Sequence, residues 1–343
     1  MQRGHKLEFL QVLRLVAAGL VLLHHAVGDV LFIHGRTSWT YTHVEPGTIG
    51  VLIFFVLSGY VIALQIGKPP LQFAWHRLLR IYPAYIAAAL VGTAVFQLGS
   101  PSTPVHFDWS MLLLPAGQIH QEWILVPYWT LIYEMIFYTL AFFAIACGQR
   151  GFDTMLVGWA ILISVYPLAE NPMQASIWIF REPFCLFFIG GAALCRLHQG
   201  ATAPAIGVLI AVCLPRFWRD LPASHVVMFG IAIVAIVHIA VKLSERFAAP
   251  RILVHGGDWS YGLYLLHIPV LRALAKVLPI AAMSEWLSIA ILVAAAGAVA
   301  SAFGYGEYTF YKWAKARLDL KLGRRADDDS ANAESIPAPT AVV

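Results

Sequence analysis

Ten stretches of this 343-residue chain are apolar over about the length that a bilayer demands, near 8–27, 48–66, 82–98, 128–147, 154–169, 176–195, 203–215, 225–241, 259–277 and 286–309. A helix needs about 20 apolar residues to cross a hydrocarbon core of about 30 Å. Within that core the backbone must satisfy its own hydrogen bonds, so apolar runs of this length are read as helices. Composition agrees: 59% of the residues are hydrophobic, 12% are charged, and the mean hydropathy is +0.72. Soluble domains carry roughly a quarter charged residues. The expected fold is therefore all-α, a polytopic membrane bundle of about ten transmembrane helices.

The basic residues give the bundle a direction. With the N-terminus inside, 16 of the 23 Lys and Arg fall in inside segments and six in outside segments, and Arg14 lies within a span. The positive-inside rule then favours cytoplasmic N- and C-termini. Residues 1–325 are expected to form one integral-membrane domain. Residues 326–343, "ADDDSANAESIPAPTAVV", are small, acidic and Pro-containing, the composition of a disordered cytoplasmic tail. The first span carries Arg14 and lacks a clear cleavage site, so it reads as a retained helix and not a signal peptide. Cys147, Cys185, Cys195 and Cys213 show no CxxC spacing, so neither disulfides nor a metal is expected. The net charge of +4 fits inside loops meeting anionic lipid, and nucleic acid is not an expected partner.

Four stretches carry ionisable or aromatic groups where a lipid-facing helix would not. In "LRLVAAGLVLLHHA", Arg14 and His25 are eleven residues apart. That is about 20° past three full turns and about 16 Å along the axis, so the two share one stripe. Arg14 either snorkels to the inner surface or, with His25, faces a partner or a wet cavity. In "FAWHRLLRIYPAYI", Arg77 and Arg80 share a face at i and i+3, and Pro83 is expected to break or redirect the chain as the third span begins. Paired guanidiniums suit a phosphate, and equally serve as an ordinary positive-inside loop. In "PYWTLIYEMIFY", Glu134 sits inside the fourth span with Trp129, Tyr133 and Tyr138 about it. The aromatics fit an interfacial belt, which does not need the carboxylate. In "GDWSYGLYLLHIPV", Ser260, Tyr264 and His267 lie on one helical face with Tyr261 one position off it, either as a packing stripe or as part of a site. Gly50, Ser58 and Gly59 of "IGVLIFFVLSGYVIAL" are read as close-packing residues, with Ser58 at most behind a functional group.

These stretches, in this order, resemble the acyltransferase-3 family of bacterial integral-membrane O-acyltransferases, from about Leu7 to about Trp313. Arg14 and His25 match its Arg-x10-His signature. Arg77 and Arg80 match its RxxR motif. Trp129, Leu131 and Glu134 match its Trp-x-Leu-x-x-Glu segment, and Ser260, Tyr261, Tyr264, Leu265, His267 and Pro269 match its Ser-Tyr-x-x-Tyr-Leu-x-His-x-Pro helix. The chain departs from the pattern at Leu52, where the family has an acidic residue, and at Glu307, which resembles a Glu-x-Pro ending without the proline. The wording of the fourth span leans toward the exopolysaccharide-acetyltransferase branch, in a stand-alone form without an SGNH domain.

The resemblance implies transfer of an acyl group, most often acetyl, from acyl-CoA to a hydroxyl of a cell-envelope or exported glycan, in a bacterial inner membrane. Acetyl-CoA is then the donor substrate, with no metal. Arg77 and Arg80 would hold its phosphates. His25 would act as general base or as transient acyl carrier. Arg14 would bind the donor or an oxyanion, and Glu134 would orient His25 or meet the acceptor. Ser260, Tyr261, Tyr264, His267 and Trp129 would contact substrate. The expected partners are membrane lipid, acyl-CoA and the glycan, and the oligomeric state stays open. A polytopic transporter of a glycan or solute would also carry an intramembrane polar stripe, without needing an inside phosphate site. A non-catalytic scaffold would leave Glu134 and His25 without a task.

Overall fold

The computed structural model describes residues 7–36, 45–102, 104–118, 125–165, 174–175, 177–213 and 221–334. Arg3, Lys6, Arg216 and Arg219 of the charge pattern lie outside the described residues, as do residues 166–169 of the fifth expected span and 335–343 of the expected tail.

Ten α-helices are described: α1 (Glu8–Ile33), α2 (Pro46–Ala63), α3 (Pro70–Gly99), α4 (Trp129–Ala146), α5 (Gly148–Val165), α6 (Cys185–His198), α7 (Thr202–Val212), α8 (Leu221–Arg246), α9 (Arg251–Val277) and α10 (Glu285–Glu334). Pro46 and Pro70 open their helices, where a missing N–H costs nothing. Among the described residues, Gly117–Gln118 pairs antiparallel with Gln174–Ala175. Six described helices, α1, α2, α3, α4, α8 and α10, are long and apolar enough to cross a membrane, and α6 and α7 are shorter apolar helices. Large side chains stand bare on the outside of the bundle, Leu98 and Trp286 at 83% and Ile252 at 79%. Such apolar exposure fits the helices that are long and apolar enough to cross a membrane.

Two expectations change. Pro83 does not break the chain: α3 runs unbroken from Pro70 to Gly99 with the proline inside it. A proline removes one intrahelical bond but need not end a helix whose neighbours hold it. The sixth expected span, 176–195, is helical in the α sense only from Cys185 onward. A short 3-10 turn, Ile177–Arg181, precedes it. The backbone of α10 runs to Glu334.

The directions of packing are informative. Gln11, His25 and Asp29 of α1 meet Gly257, His267 and Arg272 of α9 in the same order, so these helices run parallel. In α2 and α6, Val56 and Gly59 approach Gly191 and Phe188, and Tyr60 bonds to His198. A Cβ on Gly59 would meet the Phe188 carbonyl, and one on Gly191 would meet that of Val56. Small residues here let two backbones touch. Between α9 and α10 the same is done by Gly262 and Gly304, in antiparallel fashion. α3 and α10 are antiparallel too: Asp319 takes bonds from Gln72 at 3.3 Å and His76 at 2.6 Å, while Arg80 reaches Glu307.

Candidate active site

The centre of the bundle holds a cavity of about 110 Å³ between α1, α2, α3, α4 and α9. Arg14 enters it from α1, Ser58 from α2, Arg77 and Arg80 from α3, Glu134 from α4, and Tyr261 and Tyr264 from α9. Four of the stretches singled out in the sequence thus converge, although up to 250 residues separate them. Convergence follows from helical periodicity: Arg77 and Arg80 share a face, and so do Thr130, Glu134 and Tyr138 at i, i+4 and i+8.

The lining carries three guanidiniums against one carboxylate. Each is held differently. Ser58 Oγ donates to Glu134 Oε1 at 2.5 Å. Arg80 makes a 2.6 Å ion pair with Glu307 and lies between the rings of Tyr261 and Tyr311, at 4.8 and 5.1 Å from their centroids. The Arg77 guanidinium sits over Phe73 and Tyr138, at 5.8 and 5.7 Å. Its Nε is buried without a hydrogen-bond partner, as is Oε2 of Glu307. A buried excess of positive charge with unused donors is costly unless an anion completes it. Forked guanidinium donors are the groups that match phosphate or carboxylate oxygens.

His25 does not line this cavity. It lies further along α1, beside His267 of α9, with ring centroids 5.1 Å apart. His24 packs edge-on against His25 at 5.2 Å. One turn beyond, Asp29 and Arg272 pair at 3.2 Å. Tyr264, with Phe54 packed on it, joins the cavity to the histidines. The Phe54 and Tyr264 rings are 5.6 Å apart, and Tyr264 is 5.9 Å from His267. The Tyr264 hydroxyl is tied to Thr130 Oγ1 at 2.7 Å. Tyr264 thus lies at once in the cavity wall and against His267.

The other candidates fall outside both places. Ser260 is buried and donates to the Gly257 carbonyl at 2.7 Å, an interior bond of its own helix. Trp129 packs against Tyr133 and Phe184 and is not part of the cavity wall. Leu52 is a buried apolar residue and offers no polar contact. Sequence reasoning missed Thr130 and Phe54. Thr130 was findable as the residue one turn before Glu134; Phe54 carried no signal that its apolar neighbours lacked.

The described residues thus form a helical bundle with a buried cavity lined by three arginines and a histidine pair further along α1 and α9. The chain belongs to the acyltransferase-3 family, whose description is "Acyltransferase domain" and which matches residues 7–305. Among curated proteins it is similar to "Acyltransferase MdmB" of Streptomyces mycarofaciens, 25% identical over 78% of this chain and 79% of the relative. It is similar also to "Exopolysaccharide production protein ExoZ" of Rhizobium meliloti (strain 1021), 26% identical over 68% of this chain and 80% of the relative. A third relative is "O-acetyl transferase" of Shigella phage Sf6, 23% identical over 84% of this chain and 92% of the relative. No solved structure matches.

Proposed function

We propose that this protein moves an acyl group, acetyl in the favoured case, from acyl-CoA to a hydroxyl of a cell-envelope or exported glycan at the bacterial inner membrane. The observation that carries the reading is the cavity in which Arg14, Arg77, Arg80 and Glu134 meet. CoA is a polyanion on a long thin arm, and three guanidiniums in one chamber answer that charge. The relatives' printed names, an acyltransferase, an exopolysaccharide production protein and an O-acetyl transferase, support acyl transfer to a glycan.

Arg77 and Arg80 hold donor phosphates at the inner end, and Arg14 lies deeper on the route. Tyr264 and Phe54 must part for the thioester to reach His25. His25 takes the proton of the acceptor hydroxyl, since imidazole titrates near neutrality. Glu134, bound to Ser58 in the cavity, meets donor or Arg14 rather than orienting His25. Strict alternation of ten spans requires α1 parallel to α9, and their contacts run that way; the side on which the termini lie rests on the distribution of Lys and Arg. The tail from Ala326 belongs to the cytoplasmic side in this reading.

The test compares envelope polysaccharide from a deletion strain carrying wild-type, His25→Ala or His24→Ala protein, by NMR of ester-linked acyl groups. Wild type and His24→Ala restore the esters; His25→Ala accumulates in the membrane and restores none. Normal acylation with His25→Ala sinks the assignment of the base. Export of unacylated glycan that depends on the protein, with no ester formed, favours the transporter.

A further inference from the structure

The two ring nitrogens of His267 have different surroundings. Nδ1 lies 2.6 Å from the Tyr264 carbonyl oxygen. A carbonyl only accepts, so Nδ1 carries the hydrogen, and in the neutral ring Nε2 is a bare lone pair. His267 is 1% exposed, and Nε2 is buried with no hydrogen-bond partner. Most buried polar atoms in native proteins have a partner, so an unmet one calls for an explanation. The ring beside it is that of His25, tilted by 49°.

We infer that His267 is a positioning residue for His25: when His25 takes a proton from the acceptor hydroxyl on one ring nitrogen, His267 Nε2 accepts the N–H of the other and holds the imidazolium in place. The inference rests on the reading of His25 as base. The proton moves in a closed cycle. The hydroxyl O–H breaks and its proton goes to His25. The oxygen–acyl bond forms as the acyl–sulfur bond breaks. The proton then passes from His25 to the CoA sulfur, and both rings are neutral again. The charged and titratable groups nearby are occupied otherwise. Asp29 is paired with Arg272 at 3.2 Å, and His24 faces Glu45 at 3.8 Å. Tyr264 ties the arrangement to the donor chamber, because its side chain walls the cavity and its carbonyl fixes the tautomer of His267.

The experiment uses the full-length protein in proteoliposomes, with radiolabelled acetyl-CoA as donor and polysaccharide from the deletion strain as acceptor. Three variants are compared after size-exclusion confirms folding. His267→Asn can keep the bond to the Tyr264 carbonyl but has nothing at the position of Nε2. His267→Gln can place an amide oxygen there. His267→Leu has neither. The Asn and Leu variants are expected to lose on the order of 10²-fold in kcat, the low end of what a positioned proton transfer contributes. The Gln variant recovers about tenfold of that loss, and the KM for acetyl-CoA is unchanged in all three, because His267 does not line the donor cavity. If Asn is not obtained folded, the Gln–Leu pair decides by the same contrast. Near-normal kcat in Asn or Leu, or Gln no better than Leu, overturns the role of His267 and leaves the acyltransferase reading standing. Wild-type protein that transfers no label overturns the donor reading instead.

Discussion

Arg80 and Glu307 form the ion pair on which the cavity's electrostatics turn. Their side chains are 13% and 6% exposed, so neither charge is well solvated. Removing one partner of a buried pair leaves the other uncompensated, at about 3–5 kcal/mol. Glu307→Ala should therefore destabilise the protein strongly, and Glu307→Ala with Arg80→Ala should be more stable than Glu307→Ala alone. Thermal unfolding in detergent checks the order; a double variant less stable than the single one would show that the pair is not the cause. Arg77 behaves differently. It makes ring contacts and no ion pair among the described residues, so Arg77→Ala should leave stability nearly unchanged and raise the KM for acetyl-CoA. Arg77→Lys should recover only part of the affinity, because an ammonium lacks the fork that matches two phosphate oxygens. Equal KM values for wild type and Arg77→Ala would remove Arg77 from the donor site.

At the scale of elements, the site depends on how closely backbones approach. α2 brings Ser58 to Glu134 only because the next residue, Gly59, lets α6 lie against it. Gly59→Leu must push the helices apart, and overpacking of this kind costs about 1–3 kcal/mol or more. The expected result is a lower thermal midpoint together with lost activity, whereas Gly158→Ala, where a Cβ meets open space, should be neutral. Similar midpoints for the two variants would refute the role of the α2–α6 contact. The end of α1 carries a pH-dependent tether. His34 follows the helix and touches two carbonyl oxygens, Val30 through Nδ1 at 2.9 Å and Met283 through Nε2 at 3.1 Å. Only the doubly protonated ring can donate to both. The Val30 carbonyl first, and then that of Met283, raise the His34 pKa above its ordinary 6.5. A raised value means stabilisation that is full below pH 6.5 and lost as pH rises through the folded value. The advantage of wild type over His34→Ala in limited proteolysis near Met283 should thus shrink from mildly acidic to alkaline pH. An advantage that grows with pH would contradict the tether.

For the whole molecule, the question is direction across the membrane. Residues Glu285–Gly323 of α10 make about 58 Å of helix at 1.5 Å per residue, nearly twice a ~30 Å hydrocarbon core. Its far end, pinned to α3 through Asp319, must project beyond the bilayer, on the cytoplasmic side in the proposed topology. A Cys147→Ser, Cys213→Ser background, which removes the two exposed thiols, allows single-cysteine reporters. Gly67→Cys should react with an impermeant maleimide only from the cytoplasmic face, and Ser100→Cys only from the outside; labelling of both from one face would sink the alternation. The sequence by itself determined that this chain is a helical membrane protein, because runs of apolar residues and the distribution of Lys and Arg are one-dimensional properties that the bilayer reads directly. It also made Arg14, Arg77, Arg80 and Glu134 stand out, because a charge in an apolar run is conspicuous without any neighbour. Which of them share a chamber was not legible, nor that Pro83 lies within an unbroken helix, that Trp129 and Ser260 stand outside the cavity, or that His25 lies outside it beside His267. Those depend on helix rotation and on contacts between residues hundreds of positions apart. The tautomer of His267 has the same origin: one carbonyl, set by the packing of α9, decides which nitrogen holds the proton.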